Sequence, residues 1–176
     1  IRDAQESRGL GDGYKRQALD FSDLPALLGA FAYGPIAGVL IELVKNLIHL
    51  AVSKSGYVGE LSNFILGSVF TLTAGLIYKK KKTKKSAILG GIIGALIMAV
   101  VSYPSNLFVV YPFYYNFMPK EAVLGVYQAL FKVNSIEMAI LIYNVPFTFI
   151  KGLISVAVSA LIYKPLRPFL KGKNKK

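Results

Sequence analysis

Asn144, Thr148 and Lys151 stand at i, i+4 and i+7 within an otherwise apolar run, so a helix sets an amide, a hydroxyl and an ammonium on one face. Groups aligned this way can grip the polar edge of a flat molecule, and an ammonium midway along a span needs acceptors. Glu42, Lys45, Asn46 and His49 repeat the pattern at i, i+3, i+4 and i+7. That spacing makes an interhelical polar seam, with Glu42 pairing to Lys45 or Lys151 and His49 as a hydrogen-bonded structural residue. Glu60 and Asn63, flanked by Gly59 and Gly67, suit helix capping and close packing as well as ligand contact. Residues 111–117 hold five aromatics around Pro112, including Phe113, Tyr114 and Tyr115. An aromatic belt anchors a helix end with fewer. A lid that stacks on a flat ligand is the expectation here, with a belt role left open for Tyr111 or Tyr127.

These residue types bind better than they catalyse. No Ser–His–Asp arrangement can be assembled, no His/Asp/Glu spacing matches a metal site, and the one histidine falls in an apolar helix. The chain has no cysteine, which removes disulfide, zinc–thiolate and thiol-nucleophile chemistry. Gly9, Gly11 and Gly13 have neither the GK[ST] ending nor the preceding strand of a phosphate loop, so no means of ATP hydrolysis is visible. The expectation is a binding protein without catalysis, metal or cofactor.

The elements that carry these residues are bilayer spans. Lys79, Lys80, Lys81, Lys82, Lys84 and Lys85 form one basic block, and Lys164, Arg167, Lys171, Lys173, Lys175 and Lys176 form another. Basic residues near span ends collect on the cytoplasmic side. Both blocks therefore face the cytosol, with an even number of crossings between them: outward through residues 87–110, across the outside over 111–137, and back through 138–163. Upstream, residues 60–78 supply a run long enough to cross hydrocarbon inward. Residues 36–52 form a helix ending at an external turn over 53–56, and residues 25–33 form a short one closed by Gly34-Pro35. Ser22 or Asp23 is its expected N-cap, with Pro25 in the first turn.

Composition agrees with that class. Of the 176 residues 54% are hydrophobic, and the mean hydropathy is +0.50, too apolar for an ordinary soluble domain. A net charge of +12 invites a nucleic-acid reading, but twelve of the 21 basic residues are the two span-flanking blocks, which suit anionic headgroups. Nucleic acid is excluded on that ground. Residues 1–18 are polar and charged, with neither an initiator Met nor a cleavable-signal pattern, and cannot enter a bilayer as a helix. Three regions are expected: an atypical polar segment over 1–18, a transmembrane substrate-binding domain over 19–167, and a basic cytoplasmic tail over 168–176.

The ordered series Leu19-Asp20-Phe21-Ser22-Asp23-Leu24-Pro25, Gly34-Pro35-Ile36-Ala37-Gly38-Val39, Lys45-Asn46-Leu47-Ile48-His49 and Gly59-Glu60-Leu61-Ser62-Asn63-Phe64 resembles the riboflavin-specific S components of energy-coupling factor (ECF) vitamin transporters. The likeness runs from Leu19 to about Arg167. It implies an all-α, six-helix polytopic protein of a prokaryotic plasma membrane, C-terminus in the cytoplasm, that captures riboflavin outside and topples to deliver it. ATP hydrolysis would belong to a separate module of a transmembrane coupling protein and two ATPases. By the same likeness Leu19 and Asp20 in the first loop, Asn106 at the end of the fifth span, and Thr148 and Lys151 on the sixth, with Asn144 near them, hold the ligand. The family's first helix, ahead of Leu19, is not evident in residues 1–18. The rival readings are an S component for another vitamin, a membrane enzyme on lipid or isoprenoid substrates using Glu42, His49 and Glu60, and a structural subunit.

Overall fold

The structure, a computed structural model, describes residues 22–52, 58–116, 119–128 and 133–171, and every regular element among them is helical. In chain order these are α1 (Asp23–Tyr33), α2 (Pro35–Val52), α3 (Val58–Lys80), α4 (Lys84–Ser105), a π-helical turn π1 (Asn106–Val110), α5 (Tyr111–Tyr114), α6 (Lys120–Gln128), α7 (Ile136–Ala139), a second turn π2 (Ile140–Asn144) and α8 (Val145–Lys171). Because α4, π1 and α5 are continuous, as are α7, π2 and α8, the described residues make six helical rods. Three of them, Val58–Lys80, Lys84–Tyr114 and Ile136–Pro165, are long and apolar enough to cross a bilayer.

Local chemistry sets most of the boundaries. Gly34 ends α1 at φ 108°, a conformation that costs a side chain little only when the side chain is absent, and its N–H donates to the Ala30 carbonyl at 3.1 Å. Pro35 then opens α2, where its missing N–H would have had no intrahelical partner. The Thr83 hydroxyl accepts from the Ser86 N–H at 3.1 Å to start α4, and Ser135 does the same for Met138 at 3.2 Å to start α7. Lys79 and Lys80 occupy the last turn of α3, beside its negative dipole end. One expected cap is absent: Ser22 holds the N-cap position of α1 without a side-chain cap bond, and Asp23 is buried rather than capping.

The core joins four rods. Leu27 and Phe31 of α1, Phe70, Ala74 and Tyr78 of α3, Ala95 and Met98 of α4, and Val156 and Tyr163 of α8 form one buried cluster. At its lysine-rich end the Tyr78 and Tyr163 hydroxyls meet at 3.0 Å, so both phenols are satisfied inside an apolar interior. At the opposite, aromatic end a second cluster gathers Tyr111, Ile136 and Ile140. Ile36, Leu40, Val44, Leu47 and Ile48 of α2 are exposed, a surface that suits lipid rather than water.

The two π turns share one cause. A proline ring at position i clashes with the carbonyl of residue i−4 in an α-helix. For Pro112 that residue is Phe108 and for Pro146 it is Ile142, the middle residues of π1 and π2 respectively. Inserting one residue into the turn widens it and re-pairs the backbone, with the Tyr111 N–H donating to the Asn106 carbonyl and the Val145 N–H to the Ile140 carbonyl. The sequence reading took 111–117 as a loop. Helix instead runs on through Tyr114, with a turn at Tyr115 and Asn116, because the π turn absorbs Pro112.

Candidate ligand site

Two polar assemblies lie among the helices. The first is ionic and joins α1, α2 and α8. The Lys45 ammonium donates to Asp23 Oδ1 at 2.5 Å and lies 2.6 Å from Glu42 Oε2, while the Lys151 ammonium sits 3.0 Å from Asp23 Oδ2. Side-chain exposure is 3% for Asp23, 0% for Glu42, 13% for Lys45 and 17% for Lys151, so these charges are held out of solvent. Two acids against two bases leave the set formally neutral, the condition under which buried charge is tolerable. Asn46 secures Glu42 further, its amide donating to the Glu42 carbonyl at 2.8 Å and to Oε2 at 3.3 Å. Gly67 of α3 makes room for the carboxyl: a Cβ there would lie 2.5 Å from Glu42 Cδ.

The second assembly is neutral and lies between the π turns. The Tyr111 and Tyr127 hydroxyls share a short hydrogen bond. Asn144, the last residue of π2, donates its amide to the Tyr111 hydroxyl at 3.3 Å and accepts from Tyr127 at 3.5 Å. Around Tyr111 the rings of Tyr114, Tyr115 and Tyr127 sit 6.3–6.5 Å away in tilted or edge contacts, and Tyr127 meets Tyr143 at 5.9 Å. Lys120 stands 5.0 Å over the Tyr115 ring, whose phenol is pushed above its ordinary range by burial and then by the Glu137 charge. Asn106, the first residue of π1, donates to the Ser102 carbonyl at 2.7 Å. Beneath it the Ser62 and Ser105 hydroxyls, 3.1 Å apart, tie α3 to α4.

The sequence-predicted residues divide between these assemblies. Asn144 joins the tyrosines and Lys151 joins the acids, with Thr148 half-buried between them on the same helix. Tyr114 and Tyr115 pack on Tyr111, and Phe113 is half-buried on the same turn. Leu19 and Asp20 lie outside the described residues, as do the 1–18 segment and the 53–56 turn. The expected seam exists, with Lys45 as the partner of Glu42, whereas Lys151 finds Asp23. His49 departs from expectation: it is exposed and lines a groove of ≈ 540 Å³ between α1 and α2, together with Ser22, Pro25, Leu40, Ile41, Val44, Lys45 and Ile48. None of the predicted ligand residues lines that groove. Sequence reasoning missed Asp23 as a member of the site, although an aspartate entering an apolar helix was the available signal.

Comparison with known proteins covers nearly all of this architecture. The profile of the family described as "ECF transporter, substrate-specific component" matches residues 10–163. The chain is 39% identical over 154 residues to the riboflavin transporter RibU of Staphylococcus aureus, covering 87% of this chain and 76% of that one. It is 30% identical over 165 residues to the riboflavin transporter FmnP of Bacillus subtilis, covering 92% and 81%. A solved S component of a bacterial ECF transporter superposes with a TM-score of 0.65 at 39% identity, over 88% of this chain and 80% of that one. By sequence profile and by fold, the chain belongs to the substrate-specific components of ECF transporters.

Proposed function

We propose that this chain captures riboflavin for an ECF-type vitamin transporter in a prokaryotic plasma membrane, without catalysis of its own. The delivery step and the ATP hydrolysis fall to a coupling protein and two ATPases, and the C-terminus with both lysine blocks faces the cytoplasm. The observation that carries this reading is the 39% identity, along 87% of the chain, to a protein named a riboflavin transporter. Geometry supports it. An isoalloxazine ring is flat, with apolar faces and polar edges, and the structure offers a tyrosine cluster that includes Asn144, with Asn106 on the same rod as Tyr111 and with Thr148 and Lys151 on the same rod as Asn144. The membrane-enzyme reading loses ground, because Glu42 is engaged by Lys45 and Asn46 while His49 faces the exposed groove.

Riboflavin has about 27 non-hydrogen atoms, and about 0.3 kcal/mol from each gives about −8 kcal/mol, or micromolar binding. A closed aromatic cover would tighten that. Titration of the purified protein by flavin fluorescence quenching is the test, with a Kd at or below micromolar expected and a weakening of about two- to tenfold in Asn106→Ala. Absence of quenching in the unsubstituted protein would sink the reading. Vesicles holding this chain alone should bind labelled riboflavin and not concentrate it when ATP is added, and accumulation there would overturn the division of labour.

A further inference from the structure

We propose that Asp23 is the positioning residue for the substrate-binding ammonium of Lys151, so that ligand binding depends on a carboxylate on a different helix. This rests on the riboflavin reading and on Lys151 as a contact within it. The physical reason begins with the ligand. Riboflavin is uncharged, so it brings no countercharge to a buried ammonium, and buried charge is tolerable only where the protein supplies its partner. Asp23 is that anion, 3.0 Å from the Lys151 ammonium and 3% exposed.

Geometry makes Asp23 a fixed point. Its other oxygen accepts from Lys45 at 2.5 Å, Lys45 is held in turn by Glu42 at 2.6 Å, and Glu42 lies against the bare backbone of Gly67. Orientation thus passes from α3 through α2 and α1 to a side chain on α8. A lysine has four rotatable carbons and three N–H donors. The ion pair with Asp23 fixes where the ammonium stands, and so where a ring-edge carbonyl would have to meet it. Lys151 also follows π2 by seven residues, so the backbone irregularity that aims Asn144 leaves the regular turn of α8 to carry the ammonium.

A double-mutant cycle decides the matter. Asp23→Asn, Lys151→Gln and their combination are titrated with riboflavin by fluorescence quenching, and the absorption spectrum of the bound flavin is recorded at saturation. Each single variant should raise Kd about tenfold or more, and the combination no further than either alone. The saturated spectrum of Asp23→Asn should match that of Lys151→Gln, a change that loss of fold stability does not produce. If Asp23→Asn proves unstable, Asp23→Asn with Lys45→Gln, which removes one acid and one base together, runs through the same cycle. Additive losses, or an Asp23→Asn spectrum identical to the unsubstituted protein, would overturn the proposal while the riboflavin reading stands. An unchanged Kd in Lys151→Gln would overturn both the contact and the positioning built on it.

Discussion

The ionic assembly on α1, α2 and α8 and the tyrosine–amide assembly between the π turns solve one problem in opposite ways. Both keep polar groups inside an apolar body. The ionic set does so on regular helices, by matching charge with charge over 2.5–3.0 Å. The neutral set does so on distorted helices, with hydroxyls and an amide that can each donate or accept. Deleting one member of a charge-balanced set leaves an uncompensated ion, whereas deleting one hydroxyl from a neutral ring leaves partners that can rotate to new ones. The contrast therefore forecasts large losses on one side and small ones on the other.

Lys45→Met should show the largest effect. Its ammonium lies between Asp23 and Glu42, so the substitution leaves two buried carboxylates facing each other with Lys151 as their nearest cation. Breaking a buried pair from one side costs about 3–5 kcal/mol. At about 2–4 °C per kcal/mol for a chain of this length, the thermal midpoint in detergent should fall by about 10 °C. A fall of less than about 2 °C would mean that the ionic set is as forgiving as the neutral one, and the comparison would collapse.

Gly67→Ala should come next. The added methyl meets the Glu42 carboxyl at 2.5 Å, closer than atoms can stand, so Glu42 must move away from α3 and disturb its contact with Lys45. Overpacking of this kind costs about 1–3 kcal/mol. The cause can be isolated, since in a Glu42→Ala background the same methyl has space and Gly67→Ala should be nearly neutral. An equal loss in both backgrounds would place the crowding elsewhere on α3.

Much of this was legible in the chain, and what was not failed for identifiable reasons. Gly34-Pro35 announced the α1–α2 turn because a left-handed glycine and an N-terminal proline act locally. The long apolar rods were readable for the same reason. Asp23 was misread as a cap because N-cap preference is also local, while its true partners are 22 residues or more away. Pro112 and Pro146 each stand two residues past the end of a π turn. Nothing in a periodicity count distinguishes a kink from one inserted residue, yet the same offset between proline and π turn occurs twice. The Asn144–Thr148–Lys151 stripe was placed on one helix, but its ends serve different assemblies because seven residues set them about 10 Å apart along the axis.

Tyr127→Phe tests the forgiving side and should have the smallest effect. The substitution keeps the ring contacts to Tyr111 and Tyr143 and removes only the hydroxyl shared with Tyr111 and Asn144. Tyr111 then still receives the Asn144 amide at 3.3 Å, and its own hydrogen can turn toward the Asn144 oxygen, so no buried group is stranded. A net hydrogen bond is worth about 0.5–1.5 kcal/mol, which limits the fall in thermal midpoint to about 5 °C. Lys45→Met and Tyr127→Phe measured side by side under one detergent condition give the contrast directly. Should Tyr127→Phe cost as much as Lys45→Met, the hydroxyl ring would be a cooperative network rather than a set of exchangeable contacts, and the π turns would be holding it under geometric constraint as strict as the salt bridges impose on α1 and α2.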